Sequence, residues 1–475
     1  MNTTTTLQNP NFVTKHPKGL YILFFTELWE RFSYYGMRAI LVLYLVSEAA
    51  DGPKGGLGWT NAEALALYGW YTMLVYLASV PGGWIADRYT GQRKAVMIGG
   101  LLLCLGHGVM AIPNTTAFYA ALTLIIMGVG MLKPNISTLV GSLYAPGDPM
   151  RDKGFTFFYI GINIGALLAA FAVGTVGELV GWHYGFALAG IGMAVGQFFY
   201  IKGQKHLKGV GELATEVNKA TGKKEVIHTP LTKVEKDRMK VIFLSFFIVI
   251  VFWGAFEQAG GLMNIFANDK TDRFLLGWEI PTSWFQSLNP FFIMIFGTAV
   301  ASFWIWWRKK GKEDSSLYKM AIGTMIMGTG FVFMIVASVQ ASSDGQAAMV
   351  WLILAYLFHT IGELCSSPVA LSFITKLAPV KYASIMMGTY FAVTGLGNRV
   401  AGWLGEAAFS GGDASEKTVF ITITVFTVVF GAVVLLFLKP LKRLTHHAED
   451  DHPEDKTGHT DLDAANQDDV KKNVA

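Results

Sequence analysis

The chain has 475 residues, of which 52% are hydrophobic and only 15% are charged, and its formal net charge is +4. Soluble domains carry about 25% charged residues, so this composition excludes a disordered or nucleic-acid-binding protein and argues against a soluble enzyme. The mean hydropathy of +0.41 predicts an integral membrane protein. Cys104 and Cys365 both lie in apolar runs, so neither a disulfide framework nor a cysteine-based metal site is expected.

Twelve apolar runs of roughly 20 residues follow one another along the chain. A helix of this length crosses a hydrocarbon core of about 30 Å, whereas strands of a membrane barrel would give short alternating segments. The sequence therefore predicts an all-α integral membrane protein with twelve transmembrane helices. The predicted spans are 20–47, 64–86, 95–112, 117–139, 155–177, 184–202, 240–260, 285–307, 317–339, 347–375, 382–405 and 416–438.

The distribution of basic residues predicts the orientation. If the amino terminus is cytoplasmic, 30 of the 38 Lys and Arg residues fall in cytoplasmic loops and tails, and four fall outside. This bias follows the positive-inside rule and predicts a multi-pass protein of the cell (inner) membrane with both termini cytoplasmic. The predicted segments are a cytoplasmic start (1–19), a six-helix bundle (20–202), a polar cytoplasmic linker (203–239), a second six-helix bundle (240–438) and an acidic, disordered cytoplasmic tail (439–475).

The first span carries a stripe of ionisable residues in the segment ELWERFSYYGMR. At about 100° per residue, Glu27, Glu30, Arg31, Tyr34 and Arg38 fall within one arc of about 100°. An ionised side chain at the centre of a membrane costs about 2.5–3.5 kcal/mol on insertion scales. The stripe is therefore expected to face protein or a water-filled cavity. A buried ion-pair network that only locks the helices together is the alternative interpretation.

Three further charges, Lys133, Glu257 and Glu363, lie in other predicted spans. A lone lysine in the membrane is expected to find a carboxylate, and the glutamates of the first span are the obvious partners. The basic groups then belong to the first six helices and two acidic groups to the second six. A site that is positive on one wall and negative on the other suits a small zwitterion such as an amino acid or a short peptide.

Several separate motifs resemble known families. GGWIADRYTGQRK, residues 82–94, resembles the signature of the major facilitator superfamily. ELWERFSYYGMR resembles the Glu-x-x-Glu-Arg element of the proton-coupled oligopeptide transporters, and FTFFYIGINIGAL, FEQAGG and GELCSSPVALS resemble further motifs of that family. The resemblance covers about residues 18–440. It implies two pseudosymmetric six-helix bundles that rock around a central site, and a proton-driven symporter that imports di- and tripeptides by alternating access.

The resemblance also implies residue roles. Glu27, Glu30, Arg31, Lys133 and Glu257 would couple transport to protons. Arg38 and Lys133 would hold the peptide carboxylate, and Asn163, Asn289 and Glu363 would hold its amino terminus. The pocket would be lined by Tyr34, Tyr35, Tyr71, Tyr159, Trp253, Trp284, Ser367 and Tyr390. Trp284 immediately precedes a span, so a position at the membrane interface is the alternative to a position in the pocket.

The chain departs from the family pattern at two points, and several alternative functions are compatible with the sequence. Prokaryotic members commonly carry two extra helices between the bundles, which residues 203–239 are too polar to provide, and Tyr390 stands where the family often has Trp. A transporter of nitrate or another anion, a drug–proton antiporter and a ligand-binding sensor are the alternatives. The sequence offers no hydrolase triad or metalloprotease motif, so we expect no enzyme. We expect no metal or cofactor other than the coupling proton. The expected partners are short peptides and the lipid bilayer, with no nucleic acid; a monomer is expected to be sufficient for transport, and the sequence leaves the oligomeric state open.

Overall fold

The structure, a computed structural model, describes residues 15–50, 54–144, 148, 150–212, 231–379, 383–410, 415–446 and 448. Within these residues the chain is almost entirely helical, and the strands are four pieces of two residues each. Part of the predicted linker (213–230) and most of the predicted tail (449–475) lie outside the described residues.

The described residues of the first half form seven α-helices. Their bounds are α1 Lys18–Val46, α2 Asn61–Leu77, α3 Ser79–Ile85, α4 Gln92–Met110, α5 Thr115–Ser142, α6 Met150–Ala169 and α7 Trp182–Gly203. Short π-helical segments extend two of these rods, α3 through Ala86–Thr90 and α6 through Ala170–Gly174 and Val176–Val180. A 3-10 turn, Gln204–His206, follows α7.

In the second half, the part of the chain that the structure describes forms eight further α-helices. Their bounds are α8 Lys233–Phe256, α9 Leu262–Lys270, α10 Leu288–Lys309, α11 Ser316–Asp344, α12 Val350–Leu377, α13 Ala383–Ala407, α14 Glu416–Leu436 and α15 Leu438–Leu444. The 3-10 turn Glu257–Ala259 separates α8 from α9, and the 3-10 segment Thr282–Ser287 leads into α10. Strand β1 (Thr271–Asp272) pairs in parallel with β4 (Ala347–Ala348), and β2 (Phe274–Leu275) pairs antiparallel with β3 (Trp278–Glu279).

Ten helical segments of the described chain are long and apolar enough to cross a membrane. This finding confirms the predicted all-α membrane architecture, and every predicted span overlaps a helical segment. Helices α1 and α13 are not among the ten; α1 contains the charged stripe, which lowers its apolar character. The predicted number of twelve transmembrane helices therefore stays a prediction.

Two helical segments extend into the predicted linker and the predicted tail. Helix α8 begins at Lys233, inside the predicted linker, because Thr232 and Glu235 form a reciprocal capping box that satisfies free backbone N–H groups. Residues 439–444, which were predicted to belong to the disordered tail, form part of α15. Leu441 and Leu444 of α15 pack on the hydrophobic core beside α8, and this apolar contact holds the segment in place.

The helices of each half pack mainly on one another. In the first half, α1 packs against α6 and α7, and α4 packs against α5. In the second half, α11 packs against α12 and α14, and α8 packs against α13. The halves meet where α2 packs on α13 and α6 packs on α10. At the first of these seams a Cβ on Gly69 would lie 2.8 Å from the Gly402 Cα, so only glycine permits the close crossing.

Candidate functional site

The charged stripe of α1 is buried within the protein, as predicted. Glu30 is 0% exposed and Arg38, the most exposed of the five stripe residues, is 9% exposed. Arg31 pairs with glutamates of α1 itself, whereas Arg38 pairs with Glu257 of the second half.

Arg31 holds the two carboxylates of its own helix. Its Nε atom lies 3.0 Å from Glu27 Oε1 and also contacts Glu30 Oε2. The guanidinium lies 5.8 Å from the ring centroids of both Tyr34 and Tyr35. Two carboxylates share one guanidinium, so one proton or one further cation would balance the formal charge of this cluster.

Lys133 of α5 is the nearby cation, but its contact differs from the one predicted. Its Nζ atom lies 3.7 Å from the centroid of the Tyr76 ring, on α2. Lys133 makes no ion pair within the described part of the chain, although it interacts electrostatically with Glu27 and Glu30. The expected ion pair is therefore replaced by a cation–π contact. The reason is that Arg31 already occupies both carboxylates.

Arg38 forms an ion pair between the two halves of the chain. Its Nη1 atom donates to Glu257 Oε1 at 3.0 Å and to Glu257 Oε2 at 3.1 Å. The Tyr68 hydroxyl donates to Glu257 Oε2 at 3.1 Å, and the Arg38 guanidinium lies 5.0 Å from the Tyr35 ring centroid. Glu257 stands at the break between α8 and α9, just before Gly260. This turn directs the carboxylate of the second half towards α1.

Glu363 of α12 forms the acidic end of the site. Its Oε2 atom accepts a hydrogen bond from Asn289 Nδ2 at 2.7 Å. The same amide nitrogen lies 3.1 Å from Thr360 Oγ1, one helical turn before Glu363. Asn289 thus orients the carboxylate, and no other described residue hydrogen-bonds to the second oxygen, which can bind a cation.

Arg38 and Glu363 line one cavity of about 130 Å³ between the halves. Six predicted site residues line it, namely Tyr35, Arg38, Tyr159, Asn163, Asn289 and Glu363. The lining residues that the sequence reasoning missed are Ile162, Ala166, Ala170, Phe256, Ala259, Gln286, Pro290, Ile293 and Tyr356. Helical spacing carried a signal for two of them, because Gln286 precedes Asn289 by three residues and Tyr356 precedes Glu363 by seven.

The other predicted pocket residues do not line this cavity. Tyr34 and Tyr71 are each 2% exposed and interact electrostatically with Arg38, so they lie behind the wall of the cavity.

Tyr390 hydrogen-bonds with Ser367 and Trp253 inside the second half. These three predicted pocket residues therefore come together, but away from the cavity wall. The Trp284 indole donates to Thr175 Oγ1 at 2.8 Å, at a contact between the two halves.

Three curated proteins are similar to this chain over nearly its whole length. An uncharacterized transporter, YclF, of Bacillus subtilis is 35% identical over 90% of this chain and 95% of its own. The peptide transporter YePEPT of Yersinia enterocolitica is 33% identical over 94% of this chain and 99% of its own. A di-/tripeptide transporter of Lactococcus lactis is 34% identical over 92% of this chain and 99% of its own.

A solved structure and a family profile agree with these relatives. The crystal structure of a POT peptide transporter in complex with alafosfalin superimposes with a TM-score of 0.81 at 34% identity, covering 92% of this chain and 97% of that one. The described helices accordingly adopt the fold of the major facilitator superfamily. Residues 93–228 and 212–408 match the profile of the POT family. The chain therefore belongs to the POT family, the proton-coupled oligopeptide transporters that its motifs resemble.

Proposed function

We propose that the protein is a proton-driven symporter that imports di- and tripeptides by alternating access. The relatives named as peptide and di-/tripeptide transporters support the substrate class. The bias of basic residues supports a place in the cell (inner) membrane with both termini in the cytoplasm. Members of this family are transporters, and the site of this chain is built for binding rather than for bond cleavage.

The observation that carries the proposal is the cavity with a basic group from one half and an acidic group from the other. Arg38 lies on α1 and Glu363 on α12, and both line the same space. A zwitterionic peptide places its carboxylate at the guanidinium and its ammonium at Glu363. A guanidinium binds a carboxylate through two parallel hydrogen bonds. Backbone ends are common to all peptides, so side chains can vary.

The pair between Arg38 and Glu257 supplies the coupling to protons. Glu257 already occupies the guanidinium with both oxygens, so it competes with the substrate carboxylate. A proton on Glu257 removes its charge and frees Arg38 for the peptide. Because the pair joins the two halves, its exchange also changes what holds them together.

A second set of groups takes part in resetting the cycle. Glu27, Glu30 and Arg31 carry a formal net negative charge, and Lys133 lies on the neighbouring helix. Lys133 binds the substrate carboxylate together with Arg38 in the loaded state and turns to the α1 glutamates after release. One charge moved through the membrane potential is worth about 2.3 kcal/mol per 100 mV, and this energy drives accumulation of the peptide.

Uptake of a labelled dipeptide into proteoliposomes, with and without an inward proton gradient, tests the proposal. Wild type is expected to accumulate the label only with the gradient, and a competing tripeptide is expected to reduce the signal. Glu257→Gln is expected to lose gradient-driven accumulation and to keep counterflow exchange. Glu279→Gln is the matched control, because Glu279 pairs with Arg273 at 2.6 Å on the surface of the same half.

Two outcomes contradict the proposal in different ways. If the wild-type protein moves no dipeptide under either condition, the transport function is wrong. If Glu257→Gln accumulates peptide as wild type does when the gradient is imposed, the substrate class stands but the coupling role of Glu257 is wrong.

A further inference from the structure

Glu178 binds the start of a helix that belongs to the other half of the chain. It lies in the last π-helical segment after α6, Val176–Val180. Its Oε2 atom accepts a hydrogen bond from the backbone N–H of Thr282 at 2.7 Å, and its Oε1 atom accepts one from Ser283 at 2.8 Å. Both donors lie at the beginning of the helical segment that leads into α10. Free N–H groups at a helix start favour a carboxylate, and charge strengthens these hydrogen bonds.

The two halves of the chain pack closely together around Glu178. A Cβ on Gly174 would lie 1.9 Å from Ser283 Oγ, so glycine permits this approach. One turn before Glu178, the Thr175 hydroxyl accepts from the Trp284 indole at 2.8 Å. Ser283 is completely buried in the contact. The carboxylate therefore sits at the edge of a packed seam between the halves.

The seam closes the cavity at the end of the molecule where α1 finishes. Gln286, a lining residue of the cavity, donates from the same 3-10 segment to the Ala39 carbonyl of α1 at 3.3 Å. Alternating access requires the halves to separate at this end. Both hydrogen bonds to Glu178 must then break, and they re-form only when the end closes.

From this geometry we propose that Glu178 is a positioning residue of the transport cycle. Its carboxylate binds the amides of Thr282 and Ser283 only in the state that is closed at this end, and so it sets the fraction of molecules that are open there. The inference rests on the proposed alternating access. It assigns to Glu178 a role that is separate from substrate binding and from proton coupling.

Glu178→Gln is the decisive change, because it keeps the size of the side chain but removes the charge and one acceptor. The expected shift in the ratio of open to closed molecules is about tenfold, which corresponds to about 1.4 kcal/mol. Glu63→Gln is a matched control. Glu63 accepts from the Thr60 N–H at 2.9 Å and so caps its own helix, α2, and its side-chain hydrogen bonds within the described residues go to Thr60.

The reaction rate of a cysteine in the cavity wall measures this ratio without any substrate. Ala166 lines the cavity, so Ala166→Cys is introduced after Cys104 and Cys365 are replaced by serine. A membrane-impermeant maleimide added outside the cell reaches this cysteine through the end that the seam closes. The labelling rate is expected to rise about tenfold with Glu178→Gln and to stay unchanged with Glu63→Gln. Glu178→Asp, which is charged but shorter, is expected to give a smaller rise.

An unchanged labelling rate in Glu178→Gln overturns the inference. If that variant does not reach the membrane, Glu178→Asp decides, and an unchanged rate there overturns the inference equally. Dipeptide uptake by the wild-type protein separates this result from a failure of the proposed function. Normal uptake together with unchanged labelling refutes only the role of Glu178.

Discussion

Replacing Glu363 tests how the cavity recognises the amino terminus of a peptide. Asn289 occupies one oxygen of Glu363 at 2.7 Å, and the other oxygen is free for an ammonium group. Glu363→Gln keeps the shape of the side chain and removes its charge. The expected effect is therefore a loss of the peptide ammonium contact, with little change in packing.

The size of this effect follows from the kind of contact that is lost. A hydrogen bond to a charged group contributes about 1.5–3 kcal/mol, which corresponds to a loss in affinity of roughly 10- to 150-fold. The loss applies only to peptides that carry the ammonium. An N-acetylated dipeptide lacks that charge, so its weaker binding is expected to change little in the variant.

Competition against uptake of a labelled dipeptide measures both affinities in wild type and in Glu363→Gln. The four values form a double-mutant cycle between the side chain and the peptide amino terminus. A coupling energy near zero, with both peptides weakened equally, refutes the assignment of the ammonium to Glu363. Glu279→Gln again provides the control for removal of a carboxylate elsewhere in the second half.

Two further predictions concern a residue beside the cavity and one far from it. Tyr76→Leu removes the ring under Lys133 and is expected to lower the uptake rate. Tyr76→Phe keeps the ring and is expected to keep the wild-type rate. Equal uptake rates in the two variants contradict a role for the cation–π contact. Partial burial raises the pKa of Glu313, but hydrogen bonds from Ser315 and Lys442 outweigh it and hold this pKa below its usual value. A carboxylate with a lowered pKa stabilises the fold above the ordinary carboxyl pKa of about 4.3, and this stabilisation is lost as the pH falls. Glu313→Gln is therefore expected to lower the thermal unfolding temperature at about pH 7 but not at about pH 3. Equal differences from wild type at both pH values contradict this prediction.

The sequence was sufficient to predict the helical membrane fold and the burial of the charged stripe. Length and hydropathy determine which segments are long and apolar enough to span a membrane, and the 3.6-residue period determines which residues share a face. Arg38 and Glu363 were expected to meet in one cavity, and both line it. These features depend on local periodicity and on the cost of charge in lipid.

The contacts between different helices were beyond that reasoning. Tyr68 on Glu257, Tyr76 under Lys133 and Glu178 on Thr282 all depend on how helices distant in sequence pack together. Spacing within one helix contains no information about that packing. The ion pair expected for Lys133 failed for a different reason, because Arg31, on the same helix as the two glutamates, pairs with both.

A structure of the protein with a bound dipeptide tests the central claim most directly. We predict the peptide in the cavity with its carboxylate on Arg38, its ammonium on Glu363, and Glu257 released from the guanidinium. A dipeptide bound outside this cavity, or bound with its ammonium towards Arg38 while the pair with Glu257 stays intact, would contradict the account.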